Sequence, residues 1–79
     1  MRKVNAIIER ASDGSYSIYS DADDLSYLIT GTGKTVAEAK KYFEGGYEDM
    51  RRHYQKIGKP FTEVEMVYKY DMASFLSYY

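Results

Sequence analysis

Residues 31 to 35 read Gly31-Thr32-Gly33-Lys34-Thr35, the spelling that closes a phosphate-binding P-loop. The complete motif needs a glycine, four residues and then Gly-Lys-Ser/Thr, because the amides of that longer loop wrap the phosphates while the lysine reaches them. Counting back from Gly33, the first glycine belongs at 28, where Leu28 stands. Gly31 leaves only Thr32 before Gly33, and so short a loop cannot encircle a phosphate. The same letters fit a helix start. Thr35-Val36-Ala37-Glu38 is a capping box, in which the Thr35 hydroxyl accepts from the Glu38 N–H and the Glu38 carboxylate accepts from the Thr35 N–H. Lys34 is then a solvated loop residue, and no nucleotide or other cofactor is expected.

Three acids, Asp21, Asp23 and Asp24, invite a metal reading, but a calcium loop of the EF-hand kind needs a ligand at 25 and a glycine at 26, where Leu25 and Ser26 stand. A turn that uses aspartate for local hydrogen bonding explains them better. A two-metal nuclease needs carboxylates that converge. Glu9 is the one acid of the first apolar run, and nothing in the spacing pairs it with another. His53 is the single histidine, without evident partners for a metal site or a triad. The stretch around it, "RRHYQKIGK", is basic and aromatic and could touch RNA. Cations at a helix C-terminus, facing the negative end of the dipole, are the plainer account. No catalytic, cofactor or metal residue is assigned, and the chain is not expected to be an enzyme.

Seventy-nine residues make one domain, too small to enclose a sizeable cofactor. Eleven basic against twelve acidic side chains give a formal charge of -1, so no global basic field argues for nucleic acid. Cysteine is absent, which excludes disulfides and thiolate metal sites and suits a reducing cytoplasm. No apolar run approaches the roughly 18 residues of a membrane span, and "MRKVNAIIERASDG" turns charged too early for a signal peptide. Ten tyrosines without tryptophan suit either half-buried sheet surfaces or protein interfaces.

The elements follow from periodicity. Lys3 to Arg10 alternates, with Val4, Ala6 and Ile8 on one face and Asn5, Ile7 and Glu9 on the other. Asp13-Gly14 makes a hairpin turn into a second strand, where Tyr16 and Ile18 oppose Ser17 and Tyr19. After the acids, "YLITG" forms a third strand. From Val36 the apolar residues Ala39, Phe43, Tyr47, Met50, Tyr54 and Ile57 draw one helical stripe, with a close approach or mild kink expected at Gly45-Gly46 and an end at Gly58. "TEVEMVYKYD" is a fourth strand. One crossover helix places it parallel to the third strand and beside the first. The expected fold is α+β, β-β-β-α-β, with a mixed sheet of order 3-2-1-4 covered on one face by one long helix. A short C-terminal helix in "DMASFLSYY", capped by Asp71, would expose an apolar stripe of Met72, Phe75, Leu76 and Tyr79, read here as a surface for homodimerisation.

The order of residues in "VNAIIERASDGSYSIYSDADDLSYLITGTGKTVAEAKKYFEGGYEDM" resembles the N-terminal domain of HicB-family antitoxins, over about residues 4 to 57. The residues that carry the resemblance are Asp13-Gly14, Tyr16 and Tyr19, Asp24-Leu25, Gly33-Lys34-Thr35 and Glu38-Ala39. Where that family has Pro-Gly after Asp-Leu, this chain has Ser26-Tyr27. The resemblance implies a degenerate ribonuclease-H-like fold without catalytic carboxylates, in a bacterial, cytoplasmic toxin–antitoxin system. It further implies a HicA-like partner, an mRNA-cleaving toxin neutralised by association. Residues 1 to 70 would be the HicB-like domain, and residues 71 to 79 the start of a C-terminal helix or a linker to a DNA-binding domain that this chain lacks. DNA binding would belong to that domain alone. Because such a toxin must present a basic surface, Asp21, Asp23 and Asp24, with Tyr19, are the expected partner-binding residues. The alternative is a standalone RNA-binding or nuclease-like domain that uses the basic helix end.

Overall fold

The computed structural model of the protein describes residues 1 to 76, with Leu76 described by its backbone alone. Tyr79 and the Leu76 side chain therefore lie outside the described residues. The elements are β1 (Arg2–Arg10), β2 (Tyr16–Asp21), β3 (Thr30–Gly33), α1 (Val36–Lys56), β4 (Val64–Tyr70) and α2 (Met72–Leu76). The sheet order is β3-β2-β1-β4, with β4 parallel to β1 and the other pairs antiparallel. This is the expected α+β arrangement, one long helix over a mixed sheet.

The β1–β2 hairpin turns at Gly14, whose φ of 87° a side chain would resist. Asp13 helps, its carboxylate accepting from both the N–H and the hydroxyl of Ser15 at 2.9 and 2.6 Å. Those two bonds hold the Asp13 carboxyl below the usual carboxylate range. Alternation then places Ala6, Ile8, Ile18 and Ile29 beneath α1, where they meet Ala39 and Phe43 in the fully buried centre.

Strand β3 starts at Thr30, three residues later than the apolar letters "YLI" suggest. The side chain of Ser20 is the physical reason. Its hydroxyl accepts from the Ile29 N–H at 3.0 Å, taking up a backbone donor ahead of the ladder. Tyr27 meanwhile leaves the sheet pattern and stacks on Phe61 with ring centres 4.8 Å apart.

The "GTGKT" segment is a packing and capping device. A Cβ on Gly31 would collide with the Phe43 backbone and stand 2.7 Å from the Ala39 carbonyl, and one on Gly33 would stand 2.8 Å from the Ala39 N–H nitrogen. Helix and strand are therefore in backbone contact here. Thr35 caps α1 as expected, its hydroxyl accepting from the Glu38 N–H at 3.0 Å. The return bond differs from expectation: the Glu38 carboxylate accepts from Lys34 N–H at 3.3 Å, one residue earlier than Thr35. With Thr35 extended (φ -132°, ψ 161°), the preceding amide is the one presented to the carboxylate.

Helix α1 runs unbroken through Gly45-Gly46. Only Gly46 nears the sheet, at an ordinary 3.5 Å from Ile29 for an added Cβ, so the pair interrupts nothing. Arg51 makes ion pairs with Glu48 at 3.3 Å and Glu63 at 2.8 Å.

Beyond the core, Tyr27, Tyr47, Tyr54 and Phe61 form one aromatic cluster that closes the C-terminal end of α1 over the 57–63 connection. Much of the tyrosine surplus is spent inside the molecule. The Tyr27 hydroxyl donates to the Thr62 carbonyl at 2.6 Å, and burial is the main cause that pushes its pKa up to about 12. Tyr68 is raised too, by burial and then by its 2.7 Å hydrogen bond to Glu44. A tyrosine whose folded pKa lies above its unfolded value of about 10 stabilises the fold fully below that pH and loses the contribution as pH climbs through the folded value. Urea midpoints should therefore fall steeply between about pH 10 and 12. The Tyr27→Phe variant should fall less over the same window, and equal slopes for the two chains would contradict the assignment.

Helix α2 returns to the chain's own sheet. Phe75 is half-buried, with ring centres 6.0 Å from Tyr16 and 5.3 Å from Tyr70, and the Ser74 hydroxyl accepts from Arg10 N–H at 3.0 Å. Its position beside two rings of the α1 face accounts for the cover that Phe75 gains over the exposure expected of it. Met72 remains exposed.

Candidate functional site

Among the described residues, the face of the sheet opposite α1 carries no helix. By alternation it presents Lys3, Asn5, Ile7 and Glu9 from β1, Ser17, Tyr19 and Asp21 from β2, Thr30 and Thr32 from β3, and Glu65, Val67 and Lys69 from β4. Ile7 and Tyr19 stand directly opposite one another at its centre, and Asn5 pairs with both Asp21 and Val67. Ile7, Tyr19 and Val67 are half-buried although no described element covers them, because neighbours on a pleated face shield one another.

Electrostatics single out Tyr19. Burial first, then the charges of Glu9 and Asp21, a hydrogen bond with Glu9 and last the charge of Asp71 raise the pKa of its hydroxyl. The acids thus gather round one phenol on an apolar ground. Such a surface holds no reactive constellation. What it offers is flat apolar contact, a phenolic hydroxyl and a negative rim, the means of binding a basic macromolecule.

The sequence-predicted residues divide here. Tyr19 and Asp21 share the open face. Asp23 lies exposed in the turn that follows β2. Asp24 is occupied: its carboxylate takes both Arg2 guanidinium nitrogens at 2.7 and 2.6 Å, a fork that also holds the Asp24 carboxyl below its ordinary range. Nothing in the spacing announces a partner 22 residues away. Glu9, Ile7 and Asp71 are the members that sequence reasoning did not select, although the period-two pattern already set Ile7 and Glu9 on the face away from Val4 and Ile8.

Among the described residues no three His, Cys, Asp or Glu side chains gather where they could hold a metal ion. His53 lies exposed near the end of α1, beside Tyr54. On the helix side of β4 an open groove of about 470 Å³ runs between the strand and α1, lined by Phe43, Glu44, Tyr47, Glu48, Met66 and Tyr68 among others. No described helix is long and apolar enough to cross a membrane. No family model, curated protein or solved structure matches the chain.

Proposed function

We propose that the protein is an antitoxin-type binding module that neutralises a HicA-like, mRNA-cleaving toxin by association, its open sheet face meeting the toxin's basic surface. The observation that carries this reading is the acid rim of Glu9, Asp21 and Asp71 around Tyr19, on a face that none of the described elements covers. A protein that grips RNA needs basic groups for the phosphates. Complementary charge then speeds and orients its encounter with an acidic partner. The resemblance of residues 4 to 57 to the HicB N-terminal domain supports the same class of partner, in the bacterial cytoplasm.

Within the acidic loop the residues carry unequal weight. Asp21 and Asp23 are exposed and carry the rim onward, whereas Asp24 is partnered by Arg2 and contributes less field. The RNA-binding alternative is weaker for a matching reason: Arg51, which opens the basic stretch, is spent on Glu48 and Glu63.

Purified chain added in stoichiometric amount should suppress RNA cleavage by a HicA-type toxin. Changing Asp21 and Asp23 together to Asn should slow association and flatten its salt dependence, and Asp24→Asn should do so less. Undiminished cleavage at low salt with the chain in excess would end the reading.

A further inference from the structure

Strand β4 is an outer strand, paired with β1 on one side only. Asp71 donates its N–H to the Ile8 carbonyl, so the odd-numbered residues of β4 point their backbone groups at β1 and the even-numbered ones point away. Val64 confirms the alternation at the other end. Its outward N–H donates to the Tyr47 hydroxyl at 3.1 Å, and that hydroxyl in turn lies 3.3 Å from the Val64 carbonyl. Tyr47 thereby closes the start of the edge. Among the described residues the outward N–H and C=O groups of Met66, Tyr68 and Tyr70 have no protein partner.

Exposed edges are usually blunted by a proline, a bulge, a covering loop, a very short strand or charged side chains that repel a like neighbour. The other outer strand, β3, is four residues long and half glycine. Strand β4 has seven residues and no proline. Its open-face residues, Glu65, Val67 and Lys69, read acid, apolar, base. That order is complementary to itself when reversed.

We propose that β4 pairs with β4 of a second copy, antiparallel, with Val67 opposite Val67 on the two-fold axis. Glu65 of each copy then faces Lys69 of the other, an opposite-charge cross-strand pair made twice. Met66 of each copy faces Tyr68 of the other, and these residues exchange the outward backbone bonds. Lys69 makes no ion pair among the described residues, and Glu65 is only loosely engaged by Lys3 at 3.9 Å, so both charges are available.

Neighbouring symmetric registers lose this fit. With Tyr68 on the axis, Glu65 meets Asp71. With Met66 on the axis only the central pair avoids Val64, whose N–H Tyr47 already holds, whereas with Val67 on the axis both Met66–Tyr68 pairs are clear of it. In the favoured register the half-exposed Tyr70 of one copy lies across from Val64 of the other, over the groove lined by Tyr47, Glu48 and Met66. The pairing uses the edge and leaves the open face uncovered, so it stands independently of the toxin-binding reading.

Sedimentation equilibrium of the whole chain from micromolar to about millimolar concentration tests it, the upper end reaching weak association. The unaltered chain should dimerise, and Glu65→Lys and Lys69→Glu should each weaken dimerisation by about tenfold or more, since both cross-strand pairs become like-charged. An equimolar mixture of the two variants restores opposite charges at both pairs and should recover the dimer. Unfolded variants could not be rescued by mixing. A monomeric unaltered chain, variants that associate normally, or a mixture that fails to recover would each overturn the proposal. So would a dimer insensitive to these charges but lost when the chain ends at Asp71, a result that would move the contact to Met72 and the residues beyond it.

Discussion

Replacing Gly31 with alanine is expected to lower the unfolding free energy by about 3 kcal/mol, the upper part of the usual range for overpacking a full site. The added methyl meets backbone, the Phe43 main chain and the Ala39 carbonyl at 2.7 Å, and no rotamer change can move those atoms aside. Strand and helix must separate instead, and the separation loosens every contact between β3 and α1. Urea denaturation of the Gly31→Ala chain checks this directly. Lys34→Ala, three residues on and exposed, should stay within about 0.5 kcal/mol, as surface changes do. If the two variants lost equal stability, the packing account of "GTGKT" would fail.

Phe43→Ala should cost more, about 4 kcal/mol, the central value for a buried phenylalanine reduced to alanine. Phe43 is fully buried and touches the Tyr68 ring edge-on with centres 6.1 Å apart, so it joins the β4 side of the sheet to the centre of α1. Against a total of about 5 to 15 kcal/mol for an ordinary domain, such a loss takes a large share of the stability. Because the Gly31 contact is with the Phe43 backbone, a milder Phe43→Leu change should not relieve the Gly31→Ala penalty. A double variant as stable as Phe43→Leu alone would show that the ring, and not the main chain, sets the spacing.

Periodicity made the sheet order and α1 legible, because one face of each element had to be apolar. Val4, Ala6 and Ile8 fall at period two, and Ala39 and Phe43 lie on a stripe of steps of three and four. The start of β3 was less legible, since Tyr27 and Leu28 have strand-like letters while the Ser20 hydroxyl and the Phe61 ring decide their positions. Phe61 is distant in sequence, and Ser20 reaches Ile29 only across the turn that follows β2. The same limit applies to the candidate site: Tyr19 and Asp21 could be read from their own neighbourhood, but the Arg2–Asp24 fork arises only when the start of β1 reaches the loop after β2. Phe75 was expected to be exposed because its covering rings, Tyr16 and Tyr70, belong to strands whose ends meet only in three dimensions.

The parallel pairing of β1 with β4 also sets a timetable for biosynthesis. Arg2 and its cross-strand partner Val64 are 62 residues apart (64 − 2), so the inner strand is made long before its second neighbour. At the roughly 5 to 20 residues per second of translation, about 3 to 12 s pass before that neighbour exists at all. Through that interval the hairpin of β1 and β2 can form while the far side of β1, with Val4, Ala6 and Ile8, waits unpaired. The nascent chain thus carries a bare apolar strand edge until β4 is made, and the ribosome's pace fixes how long chaperones and neighbouring nascent chains have access to it.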